Sequence, residues 1–245
     1  MIEARKLTKV FRDAKRGEIR AADEVSFVCR GGEVFGLLGP NGAGKTTTLR
    51  MLSTAIKPTS GTALVHGIDV VQNPGDVRSR IGFLSGNTGV YGRLSAREMV
   101  TYFGELYGMP REAIRERIEQ IFPMLEMTEF ADARNEKLST GMKQKVSIAR
   151  SIVHDPPVMV MDEPTTGLDV MSSRTIVNFI RDCRQQGKAV IFSTHILSEA
   201  ARLCDRLAII HRGRIFAEGT PQDILTLGKS DNLEDAFIQI VGEDR

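Results

Sequence analysis

Two spacings of apolar residues divide the chain. Short apolar runs of strand length lie at Ile2–Phe11, from about Ile19 to Cys29, and at Glu33–Leu38, Pro157–Met161 and Ala189–Ser193. Gly31-Gly32 marks a turn between the second and third. Runs of this length, bounded by turn residues and rich in Val, Ile and Phe, predict strands. Elsewhere apolar positions recur every three or four residues, the helical period. Ile114, Ile118, Ile121, Phe122 and Leu125 form one such face. Further helices are predicted over Thr46–Leu52, over Ser172–Gln186 with Gly187 as its stop, over Leu197–Cys204 and over Leu233–Val241.

Local signals set several ends. Ser95-Ala-Arg-Glu98 has the form of a capping box, in which hydroxyl and carboxylate each take an orphan backbone N–H, and it starts a helix toward Tyr107. Pro110 suits a first helical position, and Pro123 predicts a kink or an early stop. Thr220-Pro-Gln-Asp223 opens a short helix. Leu207–Ile210 and Ile215–Ala217 predict a hairpin around Arg212-Gly213, and Arg12–Arg20 reads as a polar, basic loop.

Strand and helix alternate at both ends of the chain, which argues for an α/β fold with a mainly parallel sheet. The stretch from about Gly86 to Pro156 is helical in texture and reads as an insertion into that core. The expected division is residues 1–85 and 157–219 for the core, 86–156 for a helical subdomain and 220–245 for a C-terminal helical extension, all within one domain.

Composition narrows the class. The 245 residues are 41% hydrophobic and 26% charged, a globular profile. Thirty-three Lys and Arg against 31 Asp and Glu leave a formal net charge of +2, no footprint for bulk nucleic-acid binding. Cys29, Cys183 and Cys204 are far apart and lack C-x-x-C spacing, so neither a zinc site nor a disulfide framework is expected, and a reducing cytosol fits. The opening residues carry no apolar signal-peptide core, and no apolar run nears the ~20 residues that span a bilayer.

The segment Gly39-Pro40-Asn41-Gly42-Ala43-Gly44-Lys45-Thr46-Thr47 explains a cluster of glycines in front of a helix. It fits G-x-x-x-x-G-K-[ST], and it follows an apolar strand as that pattern requires. The glycines let successive N–H groups turn inward around phosphate oxygens, and the helix start adds free donors and a positive dipole end. Lys45 is then placed for the β- and γ-phosphates and Thr46 for Mg²⁺. An apolar strand, Val158–Met161, ends in Asp162-Glu163-Pro164. Asp162 is the expected second Mg²⁺ residue, and Glu163 the candidate general base for an attacking water. Leu138-Ser139-Thr140-Gly141-Met142 leads into another helix, where a hydroxyl and an N–H form a second anion site. An ordinary N-cap would account for that segment alone. If the two anion sites cannot reach one nucleotide within a chain, a head-to-tail dimer joins them.

These segments, together with Gly167-Leu168-Asp169 and His195 after Val190-Ile-Phe-Ser-Thr194, resemble the nucleotide-binding subunits of ABC transporters over nearly the whole chain and in the family's order. The resemblance implies a P-loop NTPase (RecA-like) core, an N-terminal antiparallel β subdomain and an inserted helical subdomain. It implies ATP and Mg²⁺ as cofactors, and two cassettes that sandwich two ATP molecules. It makes Ser139, Thr140, Gly141 and Met142 contacts to the partner's ATP, and Asp169 a residue of the loop at that junction. His195 becomes a γ-phosphate contact within the same chain that senses hydrolysis, and Phe11 the aromatic that stacks on adenine. A core aromatic on an edge strand is the competing account of Phe11. His66, His154 and His211 are expected to be partly buried surface residues.

The chain departs from the family in two places. Gly86 and Asn87 stand where a Gln usually follows the strand Ile81–Ser85, and Thr140 and Met142 replace the common Gly and Gln. With Ile81–Glu98, Leu138–Pro157 and Leu203–Ile215, these departures are similar to the ATPase subunits of NatA-type sodium exporters. Those pair with separate ABC-2-type permeases, which implies a second ATPase subunit, a permease partner and a site on the cytoplasmic face of the membrane. Val90, Tyr91 and Leu94 are then candidates either for docking a permease helix or for subdomain core. A soluble ABC ATPase in assembly or repair is the alternative. The coiled coil, zinc cysteines or fused second cassette of many such proteins are absent. The N-K-x-D motif of a GTPase is absent too.

Overall fold

The computed structural model describes residues 1–13, 17–86 and 89–242. Two sheets form its centre. The first is antiparallel, in the order β2 (Gly17–Cys29), β1 (Ile2–Asp13), β4 (Ser60–Val65), β5 (Ile68–Asp69). The second runs β10 (Arg214–Gly219), β9 (Arg206–His211), β3 (Val34–Leu38), β8 (Ala189–Thr194), β7 (Val158–Asp162), β6 (Ile81–Leu84). Its neighbours from β9 to β6 are parallel, and only the β9–β10 hairpin is antiparallel. The α/β class and mainly parallel sheet expected from the alternation are what the chain adopts.

The strands of the parallel sheet show no inside–outside period in sequence because both faces are buried. In β3, Val34 and Leu38 face one core, while Phe35 and Leu37 face the other. The same split divides Met159 and Met161 from Val158 and Val160 in β7, and Val190 and Phe192 from Ala189 and Ile191 in β8. One core lies against the antiparallel sheet and α1 (Lys45–Leu52), the other against the helices. Burying each large side chain in these layers contributes about 1.5–3 kcal/mol, which is why continuous apolar runs mark a sheet covered on both sides.

Between β6 and β7 lie α3 (Ala96–Leu106), α4 (Arg111–Met124) and α5 (Thr140–Ile152). Gly104 lets α3 meet α4 closely, since a Cβ there would stand 2.7 Å from Ile114. The capping box is formed, with Ser95 Oγ accepting from Glu98 N at 3.2 Å and Glu98 accepting from Ser95 N at 2.7 Å. Pro110 is the N-cap residue, one position before that expected, because the chain is still extended there at ψ 149°. Helix α4 runs through Pro123 and ends at Met124; in the last turn, a missing N–H removes only one bond.

The β1 and β2 strands extend to Asp13 and from Gly17, into the stretch expected as a loop, because Phe11, Arg12 and Asp13 pair with Ile19, Glu18 and Gly17. The short strands β4 and β5 and the helix α2 (Pro74–Arg78) were not legible as apolar runs. After β7 come α6 (Val170–Gln185) and α7 (Leu197–Leu203) flanking β8, and the chain closes with α8 (Pro221–Leu227) and α9 (Leu233–Gly242). Among the described residues no helix is long and apolar enough to cross a membrane. The three cysteines are free and buried, and desolvation pushes the thiols of Cys29 and Cys183 up to about 12.

Candidate active site

The phosphate loop sits at the carboxyl end of β3, and close backbone packing shapes it. A Cβ on Gly39 would stand 2.2 Å from the Ile210 carbonyl. Gly44 has φ 106°, and a Cβ there would meet the Ala21 carbonyl at 2.3 Å. The β9–β10 turn buttresses the loop, since Gly213 N donates to Ala43 O at 2.9 Å. The first partnered N–H in α1 is that of Thr48, which donates to Gly44 O at 2.9 Å. The donors before it make the start of α1 a cradle for an anion.

Lys45 is only 4% exposed, and its Nζ donates to Gly39 O at 2.7 Å and Pro40 O at 3.1 Å. Its nearest carboxylate is Glu163, at 3.5 Å. Burial lowers the Lys45 ammonium from the usual lysine value, while the charges of Glu163 and Asp162 oppose that. Thr46 Oγ1 donates to Asp162 Oδ1 at 3.1 Å. A hydroxyl and a carboxylate at the mouth of a phosphate cradle are the oxygen donors that suit Mg²⁺.

The end of β7 and the end of β8 face each other. Ser193 Oγ donates to Asp162 Oδ1 at 2.7 Å and accepts from Glu163 N at 3.0 Å. Glu163 has φ 48°, an uncommon left-handed backbone for a residue other than glycine. Its Oε1 lies 3.2 Å from His195 Nδ1, and its Oε2 accepts from Thr166 Oγ1 at 3.2 Å. Burial raises the Glu163 carboxyl, but the His195 hydrogen bond and the Lys45 charge outweigh it and hold the group below the usual glutamate value. A carboxylate kept ionised beside an imidazole is chemically a proton acceptor.

Ser139, Thr140, Gly141 and Met142 lie elsewhere. Ser139 caps α5, with its Oγ accepting from Met142 N at 3.2 Å. Gly141 abuts the start of α6, where a Cβ would stand 2.2 Å from Ser172 Oγ. Asp169 caps α6 by accepting from Ser172 N at 2.9 Å and Ser172 Oγ at 2.7 Å. Among the described residues no hydrogen bond joins Ser139–Met142 to the phosphate loop. The start of α5 is instead tied to the tail of β7 through Gln144 Nε2, which donates to Pro164 O at 2.9 Å.

Phe11 is 41% exposed and lies under Lys9 Nζ at 5.2 Å, so it is not a core aromatic. It extends from an inner strand of the antiparallel sheet. His154 is partly buried, as expected: it stacks on Tyr107 at 3.6 Å, and burial lowers it to about 4. Asn87 lies outside the described residues. Ser193 and Gln144 were missed in the sequence; a hydroxyl at the end of the apolar run Val190–Phe192 was the available signal for the first.

A sequence model described as ABC transporter matches residues 22–166. The ATP-binding protein NatA of Bacillus subtilis, an ABC transporter component, is 40% identical over 239 residues, covering 97% of this chain and 97% of that protein. A Nod factor export ATP-binding protein of Ralstonia nicotianae is 40% identical over 210 residues, covering 86% of this chain and 65% of that one. A dimeric bacterial ABC transporter cassette superposes with a TM-score of 0.82 at 28% identity, over 90% of this chain and 98% of its own. The resemblance drawn from the motifs is borne out at the level of whole chains. With the phosphate loop, the strand-end carboxylates and His195 assembled on one sheet, the chain belongs to the ABC transporter family and is one of its ATP-binding, ATP-hydrolysing subunits.

Proposed function

We propose that this chain hydrolyses Mg²⁺-bound ATP between the phosphate loop and the end of β7, and that the cycle drives export through a separate membrane permease of the ABC-2 type. The observation that carries the reading is the continuous chain of contacts from Lys45 through Glu163 to His195 beside the Thr46–Asp162 pair. Residues Gly39 to Thr47 hold the phosphates through backbone N–H groups, and Lys45 supplies the buried positive charge. Thr46 and Asp162 hold Mg²⁺, which when bound neutralises charge on the phosphates. Glu163 takes the proton of the attacking water, and His195 orients Glu163 and senses the γ-phosphate. Phe11, exposed at the far end of β1, provides the face for adenine.

Ser139, Thr140, Gly141, Met142 and Asp169 serve the ATP of a second copy of this chain. Support comes from their neighbours Val170 and Met171, which are 82% and 67% exposed, the most open large apolar side chains described. A second cassette laid head to tail would cover them.

The permease docks on the face that begins at Gly86 and follows α3. Val90 and Leu94 pack against the core, whereas Tyr91 is 52% exposed and meets Tyr102 edge-on at 6.1 Å. Beside them a groove of about 290 Å³ opens between the core and the helices, lined by Ser53, Phe83, Phe103, Tyr107 and Arg150. Its occupant is a permease segment, which puts this chain on the cytoplasmic face of the membrane. The cargo is Na⁺ or a drug- or lipid-like molecule.

The test is recovery of Glu163→Gln protein with ATP from detergent-solubilised native membranes. Loss of the base should lower turnover by about 10²–10⁴-fold and hold the closed dimer. Co-elution of a multi-span membrane protein supports the reading. Recovery of only soluble assembly factors or ribosomes would leave an ATPase without the transport role.

A further inference from the structure

We propose that Glu199 is a positioning residue for hydrolysis, holding the segments that carry Glu163 and His195 in register where the sheet no longer does. The proposal rests on the reading of those two residues as the hydrolytic pair. The last paired residues of the β7–β8 ladder are Asp162 and Ser193. Glu163 and His195 both lie beyond it, so no strand pairing sets the 3.2 Å between them. Ser193 Oγ fixes the backbone of Glu163 from one side. The left-handed φ of Glu163 means that this turn needs further ties to persist.

Glu199, in the first turn of α7, supplies one. A single carboxylate oxygen, Oε2, accepts from Thr165 Oγ1 at 2.8 Å and from Thr194 Oγ1 at 3.2 Å. Thr165 stands two residues after Glu163, and Thr194 stands immediately before His195. Both threonines are buried, at 5% and 2% exposure. Thr194 Oγ1 also accepts from Ile196 N at 2.9 Å, which fixes the backbone on the far side of His195. Among the described residues Glu199 forms no ion pair. A half-buried carboxylate spent on two buried hydroxyls is costly unless both bonds are made, so the bridge is a specific tie rather than a surface charge.

The consequence is confined to the chemical step. The phosphate loop meets the bridge through backbone alone, where Leu38 pairs with Thr194 and Gly39 N donates to Thr194 O at 3.4 Å. That contact does not use the Thr194 hydroxyl that Glu199 holds, so nucleotide affinity should depend on the carboxylate little. A small misplacement of a reacting group can cost up to roughly 10²-fold in rate. Steady-state ATPase of Glu199→Ala, Glu199→Gln and Glu163→Gln tests it. Glu199→Ala should lower kcat by roughly tenfold or more with KM for ATP within about twofold. Glu199→Gln keeps an acceptor oxygen for both hydroxyls and should return kcat to within about threefold of the parent. An unchanged kcat in Glu199→Ala, a parallel rise in KM, or a Gln variant as poor as Ala overturns the proposal. Full turnover in Glu163→Gln would instead sink the underlying assignment of the base. Should Glu199→Ala fail to fold, Thr165→Val and Thr194→Val read the same bridge. Each should lower kcat, and the double variant should be no worse than the poorer single one; additive losses would overturn the bridge.

Discussion

The two helix starts that the sequence marks as candidate anion sites are built differently. At α1 the donors converge on groups already joined within one chain: Lys45, Thr46, Asp162, Ser193, Glu163 and His195 form a connected set. At α5, Ser139 and Thr140 are exposed, and their neighbours are the cap of α6 and two open apolar side chains. The first site is preformed, whereas the second is only half a site. On the proposed reading, the difference bears on where the cycle is regulated: a nucleotide site completed only against a second cassette would couple hydrolysis to association.

The largest expected effect breaks the preformed half. Lys45→Ala removes a buried charge aimed at phosphate and should cost about 2–5 kcal/mol of nucleotide affinity, measured with a fluorescent ATP analogue. If affinity falls less than tenfold, the loop is not the main phosphate contact. Next comes the half site. Val170→Glu with Met171→Glu should weaken ATP-dependent dimers of the Glu163→Gln background by roughly tenfold or more, because like charges would face a copy of this surface. Sedimentation with ATP checks this, and unchanged dimers would place the second cassette elsewhere.

Two pH experiments sharpen the comparison. In the preformed half, His195 helps to hold Glu163 below its usual value. A carboxylate base works above its pKa and is lost as pH falls through it. His195→Ala removes a lowering contact, so the acid limb of kcat should move to higher pH. A limb that stays in place argues that His195 does not act on Glu163.

The smallest effect lies outside both halves. His154 is lowered to about 4 from 6.5, so below 6.5 the unfolded chain takes up a proton that the folded chain refuses. Stability is therefore full above about 6.5 and declines as pH falls toward 4, by up to about 3 kcal/mol. Denaturant titrations of His154→Phe should show a shallower decline across that window.

Much of this was legible because the signals are local. The glycines before Lys45, the capping box at Ser95 and the apolar runs of β3, β7 and β8 each encode their own conformation. The short strands β4 and β5 were not, because β4 is half exposed and is held by pairing with β1 and β5. The extension of β1 and β2 into a polar stretch was hidden for the same reason, as cross-strand pairing there overrides composition. Phe11 shows the limit for single residues. An aromatic in a strand reads equally as core or as an open face until its exposure in the folded sheet is known.

By itself, then, the sequence determined the parallel α/β core and the phosphate-loop motif, and it singled out Asp162, Glu163 and His195 as candidates, since each rests on residue type and short spacing. Only the tertiary structure decided that Ser193 and Glu199 join Asp162, Glu163 and His195 across two strand ends, and that Ser139–Met142 stands apart beside Asp169. These facts depend on which strands become neighbours, and that is settled by burial of the whole sheet on both faces rather than by any one segment.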